Sequence, residues 1–307
     1  MQTPIAIIGL GCRFPQADGP EDFWRLLAEG VDALGEVPAE RWPAEAFFDP
    51  EPGRPGRTYC PRGGFISQGD GYDADLFHLS PREAERVDPQ QGLALEVSWQ
   101  ALEHAGIAPD SLNDTETGTF WGVSTRDYDR RLANQWDDLD ARASTGACGA
   151  IIANRISYSL GLCGPSVAVD AACASSLVAV HLACQSLSTG ECRLALAGGV
   201  HLVLSPANSI AFSQGKLLAR DGRCKSFSSQ ADGYVFGEGA GVLVLKRLED
   251  ALRDGDFIWA VIRGSATNHN GPSNGLTAPL GRAQQQVGRR ALEMAGVPPA
   301  SVSYVEA

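Results

Sequence analysis

Short apolar runs alternate with helical periodicities along almost the whole chain. Ile5 to Leu10 reads as a buried strand, ended by Gly9 and Gly11. Pro20-Glu21-Asp22 then opens a helix through Phe23, Trp24, Leu26 and Leu27, with acids in its first turn and Gly30 as its stop. Residues 35–80 are rich in Pro, Gly, Arg and aromatics without a lasting period, and read as a long surface excursion. Asp88-Pro89 starts a long helix whose apolar positions Leu93, Leu95, Val97, Trp99, Leu102 and Ala105 lead to Gly106. Strands are expected over Thr119–Val123, Val167–Val169, Leu194–Ala197, Val200–Leu204, Gly241–Leu245, Phe257–Ile262 and Val302–Val305. Helices are expected over Ala171–Leu187, Arg247–Arg253 and Arg282–Ala295. This alternation predicts an α/β class with mostly parallel sheets.

Composition narrows the function classes. Hydrophobic residues make up 44 % and charged ones 20 % of 307 residues, so a sizeable core is expected and disorder is excluded. The formal charge of −12 argues against nucleic acid as a partner, because phosphate binding needs clustered Lys and Arg. No stretch approaches the ~18 uncharged apolar residues of a membrane span, and Met1-Gln2-Thr3-Pro4 lacks the basic flank of a signal peptide. The 8 cysteines contain no C-x-x-C pair, which argues against a zinc cluster. A reducing, cytoplasmic setting with mostly buried structural thiols is expected. Glycine, at 35 residues, exceeds the usual share of about 7 % and predicts tight backbone approaches.

Chemistry concentrates at one point. Between Asp170 and Glu191 no residue is formally charged, and Leu177, Val178, Val180, Leu182 and Leu187 fall on every face of the predicted helix. Such a helix is expected to be buried. Cys173 stands where the strand gives way to that helix, among Ala171, Ala172, Ala174 and Ser175. A thiol at a helix start meets free backbone N–H groups and the positive end of the dipole, which favours the thiolate. Small neighbours leave room for a substrate. Other candidates are weaker. Gly9-Leu10-Gly11 is followed by Phe14 where a dinucleotide fingerprint needs Gly or Ala. Gly237-Glu238-Gly239-Ala240-Gly241 leads into a strand, so Glu238 reads as a structural hydrogen-bonding residue. His78, His104, His181, His201 and His269 show no ligand spacing and read as structural. His181 lies about two turns beyond Cys173, too far along the helix to act as its base. His269, in a loop, is the one that could approach a site.

The segment Val169-Asp170-Ala171-Ala172-Cys173-Ala174-Ser175-Ser176-Leu177 resembles the active-site motif of β-ketoacyl synthases, the ketosynthase domains of polyketide and fatty-acid synthases. Ala171 and Ala174 replace the usual Thr and Ser, which bears on substrate preference more than on the nucleophile. Further blocks resemble the family in order: Ile5–Pro15, Asp88–Gln91, Asn154–Tyr158, Asp221–Lys225, Gly237–Gly241 and Ser273–Pro279. The resemblance implies a thiolase-like fold of five αβαβα layers. Residues 1–247 would form its first half and 248–307 the start of its second, with the catalytic histidines expected beyond Ala307 and the chain alone therefore inactive in condensation.

The resemblance also implies an activity. Cys173 would take an acyl group from the phosphopantetheine thiol of an acyl carrier protein, and a malonyl-type extender would then condense with it after losing carbon dioxide. No cofactor would be bound by the chain itself. A homodimer is expected, with Pro165–Asp170 at its interface, alongside neighbouring synthase domains of a type I polyketide synthase. Two alternatives remain: a non-catalytic partner subunit that sets chain length, against which Cys173 argues, and a fatty-acid synthase condensing enzyme. A cysteine hydrolase would need a local signature and a base that are not visible.

Overall fold

The computed structural model describes residues 3–67, 71–132 and 140–306. Met1, Gln2 and Ala307, on which the reading of the two ends touches, lie outside them. The strands are β1 (Ile5–Arg13), β2 (Gly35–Glu36), β3 (Arg62–Gly63), β4 (Thr117–Gly122), β5 (Ser166–Val169), β6 (Leu194–His201), β7 (Gly239–Arg247) and β8 (Ala260–Ile262). The helices are α1 (Pro20–Glu29), α2 (Ala44–Phe47), α3 (Pro81–Ala84), α4 (Pro89–His104), α5 (Asp127–Leu132), α6 (Ala141–Ala147), α7 (Ala150–Ser159), α8 (Ser175–Thr189), α9 (Ala207–Gln214), α10 (Leu248–Asp254) and α11 (Gly281–Ala295).

Six strands form one sheet in the order β5-β4-β6-β7-β1-β8. Helices α4 and α7 pack on one face and α8 on the other. A large core with Trp121, Leu95, Leu102, Ile152, Ile156 and Leu196 fills the first interface. A smaller one with Ala179, Ala183, Leu187, Ala195 and Leu245 fills the second. The sheet is mixed and not mostly parallel: β4 runs parallel to β5 and β6, whereas β6–β7, β7–β1 and β1–β8 are antiparallel. The reason lies in the connections. Crossover helices α7 and α8 return the chain in the same direction, but β6 and β7 are joined by a long excursion that lacks such a crossover.

Gly9 and Gly11 do not end β1; the strand runs on to Arg13. They instead let α4 lie against the strand. A Cβ on Gly9 would stand 2.6 Å from both Ala101 O and Ala105 Cβ, and one on Gly11 would meet Val97 O and stand 3.0 Å from Ala101 N. Part of the glycine excess is thus a packing device.

Other expectations shift. The segment 35–80 is not merely a surface loop, since Trp42, Tyr59, Cys60, Ile66, Phe77 and Leu79 are buried. Helices α5, α6, α7 and α9 carry no clear periodic signal. Val302–Val305 is exposed and forms no strand, because no described strand lies beside it to pair its backbone. Four thiols (Cys148, Cys163, Cys173, Cys224) are exposed, half of the set. Helix α8 buries only the face against the sheet, and Leu177 remains 75 % exposed. Among the described residues no helix is long and apolar enough to cross a membrane.

Candidate active site

Cys173 sits in a tight turn between β5 and α8, and the turn is held by its neighbours. Residues Ala172–Ala174 form a single 3₁₀ turn, so the α-helix proper begins at Ser175 and not at Ala171. Ala172 has φ +51°, a left-handed conformation that costs a non-glycine residue about 1–2 kcal/mol. Hydrogen bonds offset that strain. Asp170 Oδ1 accepts from Ala172 N at 3.0 Å, and Ser175 Oγ accepts from Ala171 N at 2.9 Å while donating to Ala172 O at 2.6 Å. The thiol stands exposed at the apex. Among the described residues the Cys173 N–H makes no hydrogen bond, which leaves a donor at the head of α8.

Two glycines set the height of that turn above the sheet. A Cβ on Gly122, at the end of β4, would lie 2.5 Å from Ser175 C, and one on Gly199, in β6, would lie 2.7 Å from Ser176 Cβ. Helix α8 therefore starts in direct contact with two strand backbones.

Cys173 opens into a cavity of about 760 Å³. Its lining includes Thr125, Asp170, His201, Asn208, Tyr234 and Phe236. A second cavity of about 670 Å³ shares Ser124, Thr125 and Asp170 with the first and extends past Cys148 and Ala168. His201 Nδ1 is hydrogen-bonded to Thr125 Oγ1, and its ring lies stacked with Phe236, centroids 6.5 Å apart. Burial pushes the imidazole below its ordinary range, which favours the neutral ring. Tyr234 is pushed up, mainly by burial and secondarily by the nearby Cys173. The buried thiols are structural by contrast: burial raises Cys12 to about 11 and Cys184 to about 12.

The matching sequence blocks build the walls. Gln90 Oε1 accepts from Leu202 N at 3.3 Å and Asp127 Oδ2 from Leu204 N at 3.2 Å, so the chain after His201 is pinned. Arg155 Nε donates to Gln91 Oε1 at 2.5 Å, which joins two of the blocks directly. Lys225 Nζ bridges Asp221 and Asp232 at 2.7 Å each, tying down the segment that leads to Tyr234. Ser273 Oγ closes its own loop onto Gly275 O at 2.7 Å. Neither that loop nor His269 lines the cavity, and His181 Nδ1 pairs with Ser265 Oγ at 2.8 Å. His201, which reads as structural in the sequence, does line it. Asp170, Ser175, Thr125 and Tyr234 carry no sequence signal beyond their place inside or near the matching blocks.

Glu238 lines the cavity, yet its carboxylate is fully engaged. Oε2 accepts from Arg41 Nη2 at 3.0 Å and from Ile66 N at 3.1 Å, while Oε1 accepts from Val203 N at 2.9 Å. Both partners of the ion pair are nearly excluded from water, with side chains 6 % and 0 % exposed. Its role is to join three segments.

Similarity to known proteins agrees with this architecture. The oxazolomycin ketosynthase domain OzmH KS7 of Streptomyces albus JA3453 superposes with a TM-score of 0.94 at 40 % identity, over 98 % of this chain and 53 % of that one. The ketosynthase from module 6 of the bacillaene synthase of Bacillus subtilis 168 superposes at 0.90 with 38 % identity, over 99 % and 50 %. The fold is thus thiolase-like, that of ketosynthase domains. Residues 2–251 match the family model "Beta-ketoacyl synthase, N-terminal domain" and residues 259–307 match "Beta-ketoacyl synthase, C-terminal domain". The chain belongs to the β-ketoacyl synthase family. It is 55 % identical over 304 residues to a subunit of the phenolphthiocerol/phthiocerol polyketide synthase of Mycobacterium tuberculosis, and 50 % identical over 306 residues to the pikromycin polyketide synthase component PikAII of Streptomyces venezuelae. Both comparisons cover 99 % of this chain but only 17 % and 8 % of those relatives.

Glu238→Ala should leave the Arg41 guanidinium buried without a counter-charge, and is expected to cost about 3–5 kcal/mol of stability. Chemical denaturation of the variant checks this. A loss below about 1 kcal/mol would contradict the role given to the pair.

Proposed function

We propose that this chain carries the acyl-accepting site of a polyketide β-ketoacyl synthase, with Cys173 as the nucleophile. The observation that carries the reading is the exposed Cys173 at the apex of a hydrogen-bonded turn, in a large cavity, with its own N–H unpaired among the described residues. The sulfur attacks the carbonyl carbon of an acyl thioester on the phosphopantetheine arm of a carrier protein. The tetrahedral oxyanion lies within reach of the Cys173 N–H, and a single such donor is worth ~10²–10³ in rate. Collapse expels the carrier thiol, which takes the proton lost by Cys173. A malonyl-type extender then releases carbon dioxide; its enolate carbon bonds to the acyl carbonyl carbon, and the Cys173 sulfur leaves. The arm is part of the substrate, not a resident group of this chain.

The finer parts of the reading have their own support. Residues 1–247 form the first half of the domain and 248–307 open the second, in keeping with two family models that divide near the same point. Neighbouring synthase domains are supported by the length of the polyketide synthases it resembles, and a cytoplasmic location belongs to the same reading. Homodimerisation is supported by β5, an edge strand that among the described residues pairs with β4 alone and leaves Val167 36 % exposed. A free strand edge of uncharged residues suits pairing with a second copy.

Two experiments test these points. Cys173→Ala should abolish acylation by an acyl thioester without loss of fold, read by intact-mass spectrometry; acylation persisting at another cysteine overturns the nucleophile. Val167→Lys places a charge on the proposed interface and should shift sedimentation toward the monomer. An unchanged dimer counts against that edge.

A further inference from the structure

The cavity around Cys173 is not uniformly apolar, and its polar side includes an imidazole held through only one of its two nitrogens among the described residues. Thr125 and His201 are hydrogen-bonded to each other through Oγ1 and Nδ1. The other ring nitrogen, Nε2, makes no hydrogen bond among the described residues, and it is not sealed away from the cavity that His201 lines. The ring itself is fixed. Its plane is stacked with Phe236, its own strand is paired with β7 through Gly239, and the next residue is anchored to Gln90. Glu238 and Asp170, the carboxylates on the cavity wall, are engaged by backbone N–H groups, and Glu238 also by Arg41. Neither makes a hydrogen bond to the imidazole. With burial favouring the neutral ring, Nε2 belongs to a fixed ring in the wall of the cavity that Cys173 also lines.

A saturated alkyl chain laid over such an atom strips its water and offers nothing in return. A hydroxyl does better, because it can both donate and accept and so satisfies Nε2 in either neutral tautomer. Thr125 also stands where the two cavities meet, so a chain leaving Cys173 toward the second cavity passes the Thr125–His201 pair.

Resting on the reading of Cys173 as nucleophile, we propose that His201, held by Thr125, is a specificity-determining residue that selects acyl groups bearing a hydroxyl near the thioester over fully saturated ones. Sites that hydrogen-bond a substrate hydroxyl discriminate more strongly than apolar pockets that only measure size. The expected preference is about 10-fold or more in acylation rate.

The test uses the full chain and a matched pair of N-acetylcysteamine thioesters, 3-hydroxybutyryl and butyryl, with Cys173 acylation followed by mass spectrometry. The wild type should load the hydroxylated group at least about 10 times faster. His201→Phe, which removes Nε2 and keeps an aromatic ring against Phe236, should bring the ratio toward one with the butyryl rate rising, and Thr125→Val, which releases the ring from its anchor, should lower the ratio by slowing the hydroxylated group. That rise is a readout a merely structural role would not produce. Equal rates in the wild type, or a ratio that both variants leave unchanged, would overturn the assignment of His201. Failure of either thioester to acylate Cys173 would overturn the nucleophile reading instead.

Discussion

Direct contact between the head of α8 and the backbones of β4 and β6 is the constraint on which the site depends. At Gly122 and Gly199 there is no side chain, and the first turn of the helix fills that space. A Cβ at either position would push the turn outward. In the seated turn Ala172 has a left-handed conformation, and Asp170 and Ser175 hold it there. The outcome is an exposed thiol, with an N–H that has no partner among the described residues, on one residue of the cavity wall. Strain of about 1–2 kcal/mol is small beside the rate that one well-placed donor supplies.

The rest of the fold supports this turn by fixing the opposite wall. Gln90 and Asp127 reach the chain after β6, Glu238 joins Arg41, Ile66 and Val203, and Lys225 bridges two aspartates ahead of Tyr234. A small core of Tyr59, Cys60 and Leu218, with Phe212, Val235 and Phe236 against it, backs the aromatic side. These contacts join segments far apart in the chain, so the cavity exists only when the whole sheet is assembled. Much of the apolar outer face of α8 stays open beside it, Leu177 above all.

Local order is legible in the sequence and long-range pairing is not. Helix α4 announces itself through Asp88-Pro89 and a long apolar period, and α8 through its uncharged run and the turn at Cys173. The directions of β7 and β1 escape a sequence reading because strand content carries no sign of orientation; the excursion between β6 and β7 decides them. Gly9 and Gly11 look like strand ends until α4 is placed against them, and Gly122 and Gly199 look unremarkable until α8 is. His201 reads as one more structural histidine because its value comes from Thr125, 76 positions away. The expected strand at Val302–Val305 has the right residues but no described neighbour.

The glycine seat, and not the cysteine alone, makes the site. Acylation of Cys173 by a small acyl thioester should be measured in Gly122→Ala and Gly199→Ala, with unfolding curves to show that each remains folded. A displacement of about 1 Å can cost ~10² in rate, so a loss of that order is expected while Cys173 still reacts with a simple alkylating agent. Acylation at the wild-type rate in both variants would contradict it.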